Sequence, residues 1–244
     1  MAMRDTASIL PLSVEGLGYA VAGKTLLEDI TFTLPRGGLT AVLGANGSGK
    51  SLLLRLCHGL ITPTRGSLHW ALEEGRRAGR QRHAMVFQRP IMLRRSARAN
   101  LDHPLAALGL DRAARQARIA EALERFGLEN LAEQPARLLS GGEQQRLALA
   151  RAWTLTPEVI FLDEPCSQLD PGATRQIEAM LSEFDRDGMT LMMATHDLAQ
   201  ARRLARNVLF LNGGRLIEEA SAETFFNKPR TDEARAFLTG NLLW

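Results

Sequence analysis

The run Gly44-Ala45-Asn46-Gly47-Ser48-Gly49-Lys50-Ser51 constrains this 244-residue chain more than any other feature. It matches GxxxxGK[ST]. It also lies where that pattern needs to lie, after the apolar strand Leu39–Leu43 and before a helix at Lys50–His58 that Gly59 and Pro63 end. Glycines at this spacing let the backbone curl until successive N–H groups point inward, which makes a cradle for phosphate oxygens. The helix N-terminus adds partial positive charge at the same place. In such a loop Lys50 reaches the β- and γ-phosphates of a nucleotide, and the Ser51 hydroxyl is placed to hold Mg²⁺.

The rest of the chain reads around that loop. Strand-like segments at Leu10–Leu17, Leu26–Leu34, Gly66–Trp70 and His83–Phe87 precede a stretch from about Arg89 to Thr156 with helical patterning only. There Asp111 is a good N-cap, and Ile119, Leu123 and Phe126 share a helical face before Gly127. Strand and helix alternate again at Val159–Leu162, Ala173–Arg186, Thr190–Ala194 and Leu198–Ala205. Val208–Leu211 and Arg215–Ile217 then flank the hairpin turn Asn212-Gly213-Gly214, and two short helices follow. Alternating strands and helices predict an α/β fold with a mostly parallel sheet covered on both faces. The helical stretch reads as an inserted lobe.

Two further constellations carry chemistry. Val159-Ile160-Phe161-Leu162 is a buried strand ending in Asp163-Glu164, at the end of the sheet where open α/β folds bind ligands. Asp163 there would hold Mg²⁺, and Glu164 would polarise an attacking water. Leu139-Ser140-Gly141-Gly142-Glu143 opens a helix. Ser140 and Glu143 are explained as a capping box. Adjacent Gly141 and Gly142 are not, since each costs roughly 1 kcal/mol relative to Ala in a helix. Bare backbone at a helix N-terminus suits an anion that must approach closely.

Together, GANGSGKS, LSGGEQQR and VIFLDEP resemble the ABC transporter ATPases over nearly the whole chain and in the expected order. The resemblance implies a single domain over 1–244. It combines a P-loop NTPase core and N-terminal antiparallel β subdomain (1–88 and 157–244) with an α-helical signature subdomain (89–156). It implies ATP and Mg²⁺ as cofactors. Gln88 is similar to the family's Q-loop glutamine, which contacts Mg²⁺ and the attacking water. His196 matches the switch histidine at the γ-phosphate, Asp170 closes a D-loop-like Ser167-Gln168-Leu169-Asp170, and Tyr19 resembles the aromatic that stacks on adenine. Cys166 and Gln168 depart from the family's commoner residues, beside the expected dimer contact. Nucleotide binding is thus assigned to Tyr19, Gly44, Asn46, Gly47, Ser48, Gly49, Lys50, Ser51, Ser140, Gly141, Gly142 and Asp170. Catalysis is assigned to Lys50, Gln88, Glu164 and His196, and metal binding to Ser51, Gln88 and Asp163.

The resemblance also implies partners. A second copy packs head to tail, so that Ser140–Gly142 of one chain caps the ATP held by Lys50 of the other. A separate transmembrane permease, served by a substrate-binding protein, docks beside Gln88, which places the chain in the cytoplasm on the inner face of the membrane. Ile91, Met92 and Leu93, next to Arg94 and Arg95, suit that docking and suit a local helix core equally. The segments around Gln88 and Ser140 are most similar to tungstate and related oxyanion importers, and the end at Trp244 leaves no room for a C-terminal regulatory domain. Phosphate, other anions and amino acids remain alternative cargoes. ABC ATPases that act on DNA or ribosomes are the alternative class.

Composition agrees with these expectations. Aromatics are 5% of the chain and net charge is only +3, so no nucleic-acid partner is expected. The short basic patch Arg76–Arg82 is too small to change that. No apolar stretch reaches the roughly 18 residues of a membrane span. Cys57 and Cys166 form no disulfide framework, as suits a reducing compartment.

Overall fold

The computed structural model describes residues 8–72 and 82–240. The basic patch at 76–82, apart from Arg82, and the C-terminal Trp244 lie outside the described residues. Two sheets organise what is described. A three-stranded antiparallel sheet has the order β2-β1-β4, with β1 Leu12–Val21, β2 Lys24–Leu34 and β4 Arg65–Trp70. A six-stranded sheet has the order β5-β6-β7-β3-β8-β9. Its strands are β3 Gly38–Leu43, β5 His83–Val86, β6 Val159–Asp163, β7 Thr190–Ala194, β8 Asn207–Asn212 and β9 Arg215–Ser221, and only β9 runs antiparallel to its neighbour.

The central strands of the larger sheet are apolar throughout because both of its faces are covered. Val159 and Phe161 of β6 face one core while Ile160 and Leu162 face the other. On the first face, helix α1 (Lys50–His58) lies between the two sheets, burying Leu53, Leu54, Leu56 and Cys57. The opposite face carries α5 (Pro171–Arg186), α6 (Leu198–Leu204), α7 (Ala222–Asn227) and α8 (Asp232–Leu238). It also carries the inserted helices α2 (Ala97–Ala107), α3 (Arg112–Arg125) and α4 (Gly141–Thr154). Phe126 packs within 6.0 Å of Trp153 and 5.9 Å of Phe184, ring centre to ring centre, and so joins the inserted helices to α5.

Two strands run longer than the sequence pattern predicts. β1 continues to Val21 because its pairing with β2 shifts between Val14 and Leu17 and again near Tyr19, which breaks the period-two alternation. β9 continues to Ser221 although Glu218 reads as a surface residue. That carboxylate is buried and accepts the backbone N–H groups of Arg230 and Thr231, tying β9 to the start of α8.

The helix starts divide into two kinds. Ser96, Asp111, Ser140, Asp170, Asp197, Ser221 and Thr231 each cap a helix, α2 through α8, with a side-chain oxygen that accepts a backbone N–H. Among the described α-helices only α1 opens without such a cap, at Gly49 in a left-handed conformation.

Candidate nucleotide site

The loop between β3 and α1 is shaped by its own backbone. Gly44 has φ 151°, and a Cβ there would lie 2.2 Å from the Leu211 carbonyl oxygen of β8, so no larger residue fits. Asn46 and Gly47 are exposed, while Ser48 and Lys50 are buried. Lys50 Nζ donates to the carbonyls of Gly44 (2.8 Å) and Ala45 (2.9 Å) and so lies along the loop. Burial pulls the Lys50 ammonium below the usual lysine range, against the pull of the Glu164 and Asp163 carboxylates.

The two carboxylates end β6 as expected, and they differ. Asp163 is buried at 2% exposure. Its Oδ1 accepts from the Ser51 hydroxyl at 2.6 Å, and Oδ2 lies 3.8 Å from Arg55. Burial raises its pKa, with Ser51 and Arg55 opposing. Glu164 leaves the strand with φ 46°, an uncommon conformation for a non-glycine residue. This turn re-aims its carboxylate. Gln88 Nε2 donates to Glu164 Oε2 at 3.1 Å, and His196 Nδ1 lies 3.1 Å from Oε1. Gln88 follows β5 and His196 follows β7, the two strands that flank β6. The strand order therefore brings Gln88, Glu164 and His196 into one row.

Tyr19 is half-buried on β1 opposite Leu27. Leu27 is the residue that a Cβ on Gly49 would strike, at 2.4 Å, so Tyr19 stands one strand from the loop. Ser140 and Glu143 form the capping box, with the Ser140 N–H donating to Glu143 at 2.7 Å. Gly141 and Gly142 follow in the first turn of α4. Asp170 accepts the N–H groups of Gly172 and Ala173, which holds its pKa low. Gln168 is exposed at φ 65°, whereas Cys166 is partly buried against the core.

The segment after Gln88 is sorted by exposure. Ile91 is 67% exposed and Met92 is 5% exposed, so this tripeptide is neither all surface nor all core. Arg151 of α4 donates to the Ile91 carbonyl (2.9 Å), Arg137 donates to that of Met92 (3.1 Å), and the Leu93 N–H donates to Asn100 of α2 (2.9 Å). Arg137, Asn100 and Arg151 carried no signal in the sequence. Nor did Gln200, a buried residue four positions after His196, because an Asp-x-x-Gln pattern at a helix start reads as a capping box.

Comparison with known proteins identifies the family. A family model described as ABC transporter matches residues 27–167. The phosphate import ATP-binding protein PstB 2 of Natronomonas pharaonis is 36% identical, over 98% of this chain and 90% of the relative. The methionine import ATP-binding protein MetN of Caulobacter vibrioides is 37% identical, over 90% of this chain and 69% of the relative. The tungstate uptake system ATP-binding protein TupC of Peptoclostridium acidaminophilum is 34% identical, over 89% of this chain and 100% of the relative. Among solved structures, CbiO1 of Clostridium perfringens, part of the ABC transporter complex CbiONQ, superposes with TM-score 0.80 at 31% identity, covering 91% of this chain and 92% of that one. The matched segment alone is more than half of the chain, and the likeness to these relatives runs past both of its ends; this chain belongs to the ABC transporter family and is an ATPase of that type.

Proposed function

We propose that the chain is the ATP-hydrolysing subunit of an importer and works as a head-to-tail dimer, in which Ser140–Gly142 of one copy closes over the nucleotide held by Lys50 of the other. The observation that carries this reading is Gly141. Its φ is not in the left-handed region, and an added Cβ would meet nothing closer than Leu169 Cδ2 at 3.8 Å, an ordinary contact. Nothing among the described residues requires glycine there. A group outside the chain that must approach the backbone does.

The proposed chemistry is in-line attack of water on the γ-phosphorus, with cleavage of the bond to the bridging oxygen and release of ADP and phosphate. The loop N–H groups and Lys50 hold the phosphates and offset their charge. Glu164 accepts a hydrogen bond from the water and takes its proton, with Gln88 and His196 fixing the two carboxylate oxygens. Tyr19 supports the base. Ser51, Gln88 and Asp163 present oxygen donors, a set that suits Mg²⁺, whose chemistry is to neutralise charge shared between the β- and γ-phosphates.

Among the described residues no helix is long and apolar enough to cross a membrane. The permease is proposed as a separate chain that contacts exposed Ile91 beside Arg94 and Arg95, with this chain at the cytoplasmic face of the membrane. The proposed cargo is tungstate or a related oxyanion. The tungstate uptake relative supports this cargo, and the phosphate and methionine relatives supply the competing ones.

Glu164→Gln tests the core of the proposal. Phosphate release should fall at least about 100-fold while ATP binding persists. The variant with MgATP should elute as a dimer in size-exclusion chromatography. A monomer that hydrolyses ATP normally would overturn both assignments. Co-purification with the permease, then binding of tungstate, phosphate and methionine to its binding protein, decides the cargo.

A further inference from the structure

Gln200, on α6, is 1% exposed, and its polar groups are all engaged. Its Oε1 accepts from the Thr195 hydroxyl at 3.0 Å, and its Nε2 donates to Glu178 Oε1 of α5 at 3.3 Å. Its backbone N–H donates to Asp197 Oδ1 at 2.9 Å. The Thr195 hydroxyl in turn accepts the Asp197 N–H at 3.1 Å. Glu178 is itself gripped by Arg203, at 2.7 and 3.2 Å. The Glu164 N–H donates to the carbonyl of Ala194, the residue before Thr195, at 2.9 Å. The buried Gln200 side chain thus holds the residue before His196, its backbone N–H is capped by the residue after His196, and the Glu164 turn is tied to the strand end beside Thr195.

The usual capping box would turn a Gln at this position back to the Asp197 N–H. Here that N–H is taken by Thr195, and the Gln200 side chain is directed inward. A buried polar network of this kind holds a fixed geometry only while every member is satisfied. His196 itself is more than half exposed, so its own packing does not set its position relative to Glu164.

We infer that Gln200 is a positioning residue for hydrolysis: through Thr195 and Asp197 it holds the His196 loop at a fixed separation from the Glu164 turn, which is tied to the adjoining strand end at Ala194. This rests on the proposed roles of Glu164 and His196. Among the described residues none of its members hydrogen-bonds to the phosphate loop, so the expected effect falls on turnover rather than on ATP binding.

The test uses the purified full chain with MgATP. Gln200→Leu keeps the bulk and removes the hydrogen bonds, and Thr195→Val removes one hydroxyl at nearly constant shape. Each should lower kcat about tenfold and change KM for ATP less than about twofold, at a temperature well below unfolding. Thr195→Ser, which retains the hydroxyl, should restore kcat. The Gln200→Leu/Thr195→Val double variant should lose little more than either single one, as members of one network do. Unchanged kcat in Gln200→Leu, or a loss that follows only a lowered Tm, would overturn the inference. His196→Ala separates the two levels. Full activity in that variant would defeat the catalytic reading beneath. Its inactivity, beside a fully active Gln200→Leu, would defeat the positioning role alone.

Discussion

Two helices in this chain begin with glycine and face opposite demands. The start of α1 has no side-chain cap, and its glycines are required by the chain's own backbone, as Gly44 against Leu211 illustrates. The start of α4 is capped twice over by Ser140 and Glu143, and Gly141 is required by nothing among the described residues. Gly142 lies between these cases, since its Cβ would come within 3.0 Å of Ala173 Cβ. The first start is a complete binding cradle. The second is a finished, stable helix end with a bare patch of backbone presented outward. In one chain, glycine thus answers a backbone demand at one helix start and, in the proposed dimer, serves contact at the other.

Alanine substitutions should separate the two. Gly44→Ala should give the largest effect. It combines a left-handed conformation with a backbone clash, and a loss of about 3 kcal/mol or more is expected in urea unfolding, together with loss of ATP binding. Normal stability there would mean that the loop relaxes freely, and the contrast would collapse. Gly141→Ala should reduce ATPase activity about 10-fold or more while leaving stability unchanged or raised by up to about 1 kcal/mol. Full activity in that variant would remove the main support for a partner at α4. The smallest effect concerns the cap. Ser140→Ala should cost about 1 kcal/mol at neutral pH. The Ser140 hydroxyl and N–H hold the Glu143 pKa below its ordinary value. A depressed carboxylate stabilises the fold above its unfolded pKa and loses that contribution as pH falls through the folded one. The stability gap between wild type and Ser140→Ala should therefore narrow on acidification into that range. A gap constant with pH would place the stabilisation elsewhere.

Much of this was legible because the motifs are local. The phosphate loop, the Asp163-Glu164 pair and the α4 start each occupy a few consecutive residues with strong backbone requirements. What was not legible depends on contacts between distant segments. Ile91, Met92 and Leu93 look alike in sequence, but only Met92 falls into the core, because Arg137 and Arg151 hold the backbone on either side of it. Gln200 was hidden behind a capping pattern it satisfies only with its backbone. Glu218 looked like an exposed strand-end residue because its partners, the Arg230 and Thr231 N–H groups, lie more than ten residues away. The pattern of β1 was obscured where its pairing slips.

The segment after Gln88 has a mechanical consequence. From Ile91 to Leu93 the chain is bolted to the inserted helices by Arg151, Arg137 and Asn100, while Gln88 is tied to Glu164 in the core. Only Arg89 and Pro90 lie between these two anchorages. Proline fixes its own φ, and the residue before it is kept out of the helical region. A linkage with so few free torsions cannot absorb displacement as slack. Under the proposed docking, a displacement at Ile91 is expected to be passed on to Gln88, as through a short, stiff crank.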